Sequence, residues 1–260
     1  MTAPFSNLTL RPATRRDLAD IIDICEASFT GSEFYGPAVH PNRKEFHAQH
    51  VKFETHKYRL RFVAENSRFL LACDAAGKLV GVSFWQFRGG NPPTGWDTNQ
   101  SIGSKIENAL LKAEGVYNEH VALPAVDFAR IRRFKGMKPK EIDAVRRIHL
   151  SILAIPPRYQ GKGVGTALLQ WGFDEATGLG LPVSLISSKA GRGFYPKFGF
   201  KKFAVVSLDG DKEYGINSAV FLWEPPALSG QWLVEDRTGA WRVKGGGRDE
   251  KAKDGGEHSS

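Results

Sequence analysis

Residues 156–171 read PPRYQGKGVGTALLQW: two prolines, a polar step, Gly161, Gly163 and Gly165 at alternate positions, then an apolar run at helical spacing. The text before it, HLSILAI from His149, is a continuous apolar stretch of strand length that Pro156 and Pro157 bring to a stop. Strand, glycine-rich turn and helix, in that order, present unpaired backbone N–H groups to an anion, because the first turn of a helix has donors without intrahelical acceptors. Alternate glycines remove side chains where a phosphate has to come close to the main chain. The stretch predicts a phosphorylated ligand end, with a tight structural turn as the alternative. Its G-x-G-x-G spacing is neither a Walker loop, which needs four residues before Gly-Lys-Ser/Thr, nor the G-x-G-x-x-G of a dinucleotide fold.

Working outward, LTLRPATRRDLADIIDICEASF reads as a short strand at Leu8 to Arg11 and then a helix. Thr14 is placed as its N-cap, and Asp17 falls in its first turn, where a negative charge suits the dipole. A second helical stretch begins at Pro41 and carries His47, His50 and His56. The i,i+3 spacing of the first two can hold a metal, but nothing completes a ligand shell, so surface histidines are expected and no metal. FLLACDAAGKLVGVSFWQF is a hairpin turning at Gly77. RGGNPPTGWDTNQ then opens an insertion at about 90–145, with helical text at 102–117 and 125–134, a natural place for lid or acceptor-pocket residues or for a structural insert. After the glycine-turn helix come a strand (LPVSLIS), a short helix and turn (AGRGFYPKFGF), and a closing strand pair (FAVVSLD, SAVFLWEP). From about 227 to 260 the chain reads as a polar tail with little reason to fold.

A 260-residue chain with 41% hydrophobic content can bury a sizeable core, and one domain over 1–226 with an appended tail is expected. Cys25 sits in a helical pattern and Cys73 in a strand pattern, which predicts two buried thiols rather than a disulfide. No apolar run approaches the ~18 residues of a membrane span, and the start lacks a signal-peptide stretch. The expectation is a soluble, cytoplasmic protein without a membrane partner. The net charge of +8, with basic residues crowded between Arg130 and Arg147, could suit nucleic acid. That run lacks the aromatic interleaving of a single-strand binding surface, so it reads as a solvated face and a nucleic-acid partner is not expected.

With its flanks the glycine turn becomes specific. Gln160-Gly161-Lys162-Gly163-Val164-Gly165 resembles the Q/R-x-x-G-x-G/A signature of the GNAT N-acetyltransferases, preceded by a strand (SILAI) and followed by an amphipathic helix (TALLQWGF) as in that family. AGRGFYPKFGFKKF resembles the family's second segment, with Tyr195 a few residues before Gly199-Phe200. LRPATRRDL and the hairpin at Phe69 to Phe87 resemble its opening strand and helix and its second and third strands. The resemblance spans roughly residues 8–225, and the insertion departs from the compact family core.

What the resemblance implies is an α+β fold: a central, mostly antiparallel twisted sheet, splayed at the cofactor strand and flanked by helices. It implies acetyl-CoA as co-substrate, its pyrophosphate on the backbone of Gly161, Lys162, Gly163, Val164, Gly165 and Thr166 with Gln160 at the entrance. Leu153, Ala154 and Ile155 would pair with the pantetheine arm and the acetyl carbonyl, the Ile155 N–H polarising the thioester oxygen. Tyr195 matches the position of the acid that protonates the departing thiolate. No general base transfers by motif; Glu33 and His149 are candidates by location. The function implied is acetyl transfer to a primary amine, on a small molecule or a peptide, by direct attack in a ternary complex; the alternative is a non-catalytic acyl-CoA-binding regulatory module. An acidic lining around the first helix and the insertion would point to a cationic acceptor.

Overall fold

The computed structural model describes residues 7–29, 32, 43–93, 96, 101–136, 139–207 and 217–244. A seven-stranded sheet forms the frame: β1 (Thr9–Pro12), β2 (Ser67–Cys73), β3 (Leu79–Arg88), β4 (Arg147–Ala154), β5 (Val183–Ser187), β6 (Lys201–Ser207) and β7 (Asn217–Trp223), in the spatial order β1-β2-β3-β4-β5-β7-β6. Every neighbouring pair is antiparallel except β4 and β5, which run parallel.

Period-2 alternation sorts the strand residues onto two faces. Trp85 and Phe87 of β3, with Ile148 and Leu150 of β4, pack against Leu169 and Phe173 of α5 (Val164–Leu179). Val82 and Phe84, with Ile152 and Ala154, pack on the other face against Ile21, Ile22 and Cys25 of α1 (Leu18–Phe29). The close seating of α5 on the sheet depends on Gly172, where a Cβ would lie 2.1 Å from Trp85 Cη2. Cys25 and Cys73 are buried free thiols, and burial pushes the Cys25 thiol up to about 11.

The joint between β1 and α1 is held by one carboxylate. Asp17 accepts from the Thr14 backbone N–H at 2.7 Å and its hydroxyl at 2.8 Å, and takes both arms of the Arg11 guanidinium at 2.6 and 2.9 Å. These charge-assisted bonds, Arg11 foremost, hold its acidity far below the ordinary carboxylate range.

α2 (His47–Val63) packs on α1 and β2, and the insertion supplies α3 (Ile102–Tyr117), which lies on α2, and α4 (Phe128–Gly136). Two of the three α2 histidines expected at the surface are buried instead. His50 and His56 sit beneath neighbouring helices with a ring nitrogen 3.5 Å from Glu26 and Glu114 respectively, while His47 is exposed. The basic run toward Arg147 is likewise not all solvated: α4 presents Arg132 and Arg133 to water, but Arg147 is buried on β4, its guanidinium donating to Ser184 Oγ and the Val145 carbonyl.

The expectation of an unfolded tail from 227 fails over residues 227–244. There β8 (Leu233–Glu235) and β9 (Trp241–Val243) pair as a hairpin and bury Leu233 and Val243 against Ile142 and Leu222. The Glu224 carboxylate fixes the approach, accepting from the backbone N–H groups of Gly230, Trp232 and Leu233 at 2.6 to 3.0 Å. Residues 245–260 lie outside the described residues.

Candidate active site

The parallel pair β4–β5 is the irregular place in the sheet. Only Ile148, His149 and Leu150 register with Val183, Ser184 and Leu185, although β4 runs on to Ala154 and β5 to Ser187. On its other edge β4 stays paired with β3 to the end, except for a bulge at Ser151, skipped between the pairs Phe84–Ile152 and Trp85–Leu150. A bulge adds one residue to one strand and bends it. The strands splay at that point, leaving β4 beyond Leu150 without a β5 neighbour.

A cavity of about 730 Å³ fills the opening. Its walls are Leu150 to Leu153 and Ile155 of β4 and its exit, Gln160, Gly161 and Gly165 of the glycine turn, Ser188 to Gly191 after β5, Phe194 and Tyr195, and Ser28, Phe29 and Ser32 at the end of α1. Among the residues the sequence assigned to the donor, Leu153, Ile155, Gln160, Gly161 and Gly165 line this space. Ala154 does not; it is buried in the α1 face of the core beside Val82. Lys162, Gly163, Val164 and Thr166 are outside the lining too, but they form the junction with the helix.

That junction explains the three glycines separately. Gly161 and Gly163 have φ of +72° and +86°, and a Cβ on either would meet nothing, so these glycines serve backbone conformation. Gly165 has ordinary helical backbone, and a Cβ there would come within 3.3 Å of Phe194 Cζ and 3.4 Å of Ile155 Cδ1, so this glycine serves close packing. Gly163 is the N-cap of α5, with no side chain capping it. The first intrahelical bond runs from the Ala167 N–H to the Gly163 carbonyl at 3.0 Å. The N–H groups of Val164, Gly165 and Thr166 are therefore left with no intrahelical acceptor, at the positive end of the helix dipole. Gln160 stabilises the approach, its side-chain amide donating to the Ile155 carbonyl at 2.9 Å.

Tyr195 opens a short 3-10 helix (Tyr195–Phe198) across the cavity from the turn. Its ring packs edge-on against Phe194 and Phe200 and tilted on Phe221, with centroids 5.4, 5.7 and 6.0 Å away. Burial raises the phenol well above its ordinary value, so it keeps its proton through the neutral range. Gly191 makes room for it, since a Cβ there would lie 3.2 Å from Tyr195 Cε2.

One of the two candidate bases is placed by the structure, and it does not join this group. Glu33 lies outside the described residues. His149 sits on β4 with Nδ1 2.9 Å from Ser184 Oγ, outside the cavity lining, and burial followed by the charges of Arg88 and Arg147 lowers its basicity far below the ordinary range. Sequence reasoning missed Ser151, whose hydroxyl donates to Gln86 Oε1 at 2.8 Å, and the Ser188–Gly191 turn. The first is exposed only by the bulge, the second only by where β5 ends.

Residues 125–202 match the model of the acetyltransferase (GNAT) domain. The fold is similar to that of a histone acetyltransferase HPA2 and related acetyltransferase from Corynebacterium glutamicum, with a TM-score of 0.53 and 19% identity over 84% of this chain and 96% of that one. PaiA N-acetyltransferase from Thermoplasma acidophilum, in complex with coenzyme A, aligns at a TM-score of 0.46 and 15% identity over 84% of this chain and 99% of that one. In sequence, 43 residues, 16% of this chain, are 44% identical to "Probable acyltransferase SID5" of Ajellomyces capsulatus, and the chain spans about a third of that relative's length. The seven-stranded frame splayed at β4, the glycine turn that caps α5 and the match of residues 125–202, which takes in both, carry the same conclusion: this chain has the GNAT fold, and its central segment is similar to the GNAT acetyltransferase domain.

Proposed function

We propose that the protein transfers an acetyl group from acetyl-CoA to a primary amine. The observation that carries this reading is the cavity in which an anion-ready helix terminus, an unpaired strand edge and a protonated phenol meet. The pyrophosphate would lie on the N–H groups of Val164, Gly165 and Thr166, reached across Gly161 and Gly163, where no side chain intervenes. The pantetheine arm would run along β4 beyond Leu150, using main-chain groups that β5 leaves free. Leu153 and Ile155 then flank the thioester.

The chemistry balances without an enzyme-bound acyl group. The amine nitrogen donates its lone pair to the thioester carbonyl carbon, the C–S bond breaks as the tetrahedral adduct collapses, and Tyr195 hands its proton to the departing sulfur. The proton shed by the amine nitrogen returns the phenol to its neutral state, so amide and free thiol are the products. A phenol whose acidity is weakened by burial remains a donor throughout the pH range in which the acceptor amine is partly neutral.

The test is thiol release from acetyl-CoA over an amine library, with the acetylated amine detected by mass. Amine-dependent release with the acetylated product supports the reading. Tight acetyl-CoA binding with no thiol released from any amine favours the non-catalytic alternative and overturns it.

A further inference from the structure

The sheet face that looks away from α5, beside the cavity, is polar and basic where a cationic acceptor would need acid. Phe84, Gln86 and Arg88 follow one another on this face of β3. Ser151 Oγ donates to Gln86 Oε1 at 2.8 Å, and the Arg88 guanidinium donates to the same oxygen at 2.8 Å. A hydrogen-bonded path thus leads from the cavity wall to Arg88.

Arg61 of α2 stands above this path. Its guanidinium carbon lies 4.9 Å from the Phe84 ring centroid and 5.3 Å from that of Tyr58, and its Nη1 is fully buried with no hydrogen-bond partner among the described residues. A buried guanidinium nitrogen without an acceptor is costly and calls for a partner. Lys135 of α4, exposed at its surface, is near enough to feel the Arg61 charge, and Arg147 is fixed beside Arg88 on the neighbouring strand. The mutual repulsion is felt: after burial, the charge of Arg61 is among the causes that lower both Arg88 and Lys135. Among the described residues the carboxylates in reach are Glu54, ion-paired to Lys57; Glu119, ion-paired to Arg132; and Asp143, whose charge opposes those of Arg88 and Arg147. The balance remains cationic.

We propose that the acceptor amine carries a carboxylate, received by the planar fork of Arg61 with Arg88 and Lys135 beside it. This rests on the acetyltransferase reading above. Ile152 lines the cavity and pairs with Phe84, and Gln86 is two residues further along the strand. One strand spacing and two residues along put Gln86, whose Oε1 holds the Arg88 guanidinium, about 8 Å from Ile152 on the cavity wall. An amine and a carboxylate that far apart belong to an amino acid with an extended side chain or to a short peptide. A guanidinium fork suits the planar, bidentate geometry of a carboxylate, and the aromatic walls hold that fork in place.

The experiment uses matched amines that differ by the carboxylate alone: L-lysine against cadaverine, and 6-aminohexanoate against pentylamine. Acetyl-CoA binding to the wild-type protein is first measured by calorimetry, then thiol release and acetylated product are measured for each pair. The proposal expects the carboxylate member of a pair to have a kcat/KM roughly tenfold higher or more, the size of one charge-assisted contact. Arg61→Met should raise the KM of that member and shrink the preference to within about threefold, with acetyl-CoA affinity as in the wild type; Arg61→Lys should restore part of it. Equal or better turnover of the amines lacking a carboxylate overturns the proposal and leaves the acetyltransferase reading standing. So does turnover of no carboxylate-bearing amine by protein that binds acetyl-CoA. Absence of acetyl-CoA binding, seen before any amine is added, overturns both.

Discussion

The two sides of the cavity are built from different material. On the loop side, residues 153–202, the polar groups offered to the donor are main-chain ones apart from the Tyr195 phenol, shaped by glycines at φ +72° and +86°. On the α1–α2 face of the sheet the polar groups are side chains gathered from far apart in the chain: Ser151 lines the cavity from a bulge, and Gln86 and Arg88 from β3, Arg61 from α2 and Lys135 from the insertion lie beyond the lining. A site made of main chain has to be contiguous, because helix termini and turns are local. A site made of side chains needs only a shared face.

The largest effect expected on the loop side is that of Gly163→Glu. A side chain at φ +86° is strained by about 1–2 kcal/mol, and a carboxylate there would oppose the pyrophosphate, so calorimetry should show acetyl-CoA affinity down about 100-fold or more with the fold retained. An unchanged affinity would detach the glycine turn from the donor.

Next comes Tyr195→Phe, expected to lower kcat about 100-fold while acetyl-CoA affinity stays within a few-fold. The pH profile sharpens it. A phenol whose acidity is weakened acts while protonated and is lost only as pH rises through its raised value, so the wild-type rate should show no fall below pH about 10 from this group. A rate unaffected by the substitution removes Tyr195 from the chemistry.

Asp17→Asn tests the other side, where a carboxylate ties β1 to α1. It should cost about 2 kcal/mol, the scale of a lost charge-assisted network, with little change in acetyl-CoA affinity. Because the folded-state acidity of Asp17 is strengthened, its contribution is present above the ordinary carboxylate value and fades as pH falls through and below about 4. Wild-type stability should therefore drop more steeply than the variant's on the acid limb of a denaturation series; parallel limbs would show that the Arg11 pair contributes nothing.

The smallest effect belongs to Gly165→Ala, which asks only that Phe194 give by a few tenths of an ångström. Stability should change by about 1 kcal/mol or less, and acetyl-CoA affinity by a few-fold. An effect as large as that of Gly163→Glu would mean that the two glycines do the same work.

The same contrast explains what could be read from the residues. The strand, turn and helix at 149–177 were legible because phosphate-facing backbone imposes glycine spacing on adjacent positions, and the paired strands around Gly77 because turn chemistry is local. The buried His50 and His56 were not, since their surroundings come from Glu26 and from Glu114 of α3, remote in sequence. Nor was the β8–β9 hairpin: WLVE and WRV are too short to signal strands alone, and they fold because Glu224 caps the turn and Ile142 and Leu222 supply the other half of a small core. Arg61 carries no motif in the sequence, and its seat over Phe84 comes only from the packing of α2 on the sheet.

Hydrogen exchange at the glycine turn is the most direct test of the central claim that backbone N–H groups at the start of α5 hold the acetyl donor. With saturating acetyl-CoA, a peptide covering residues 155–167 should exchange markedly more slowly, and one covering the β8–β9 hairpin should not change. Exchange at 155–167 that is the same with and without acetyl-CoA would contradict the account.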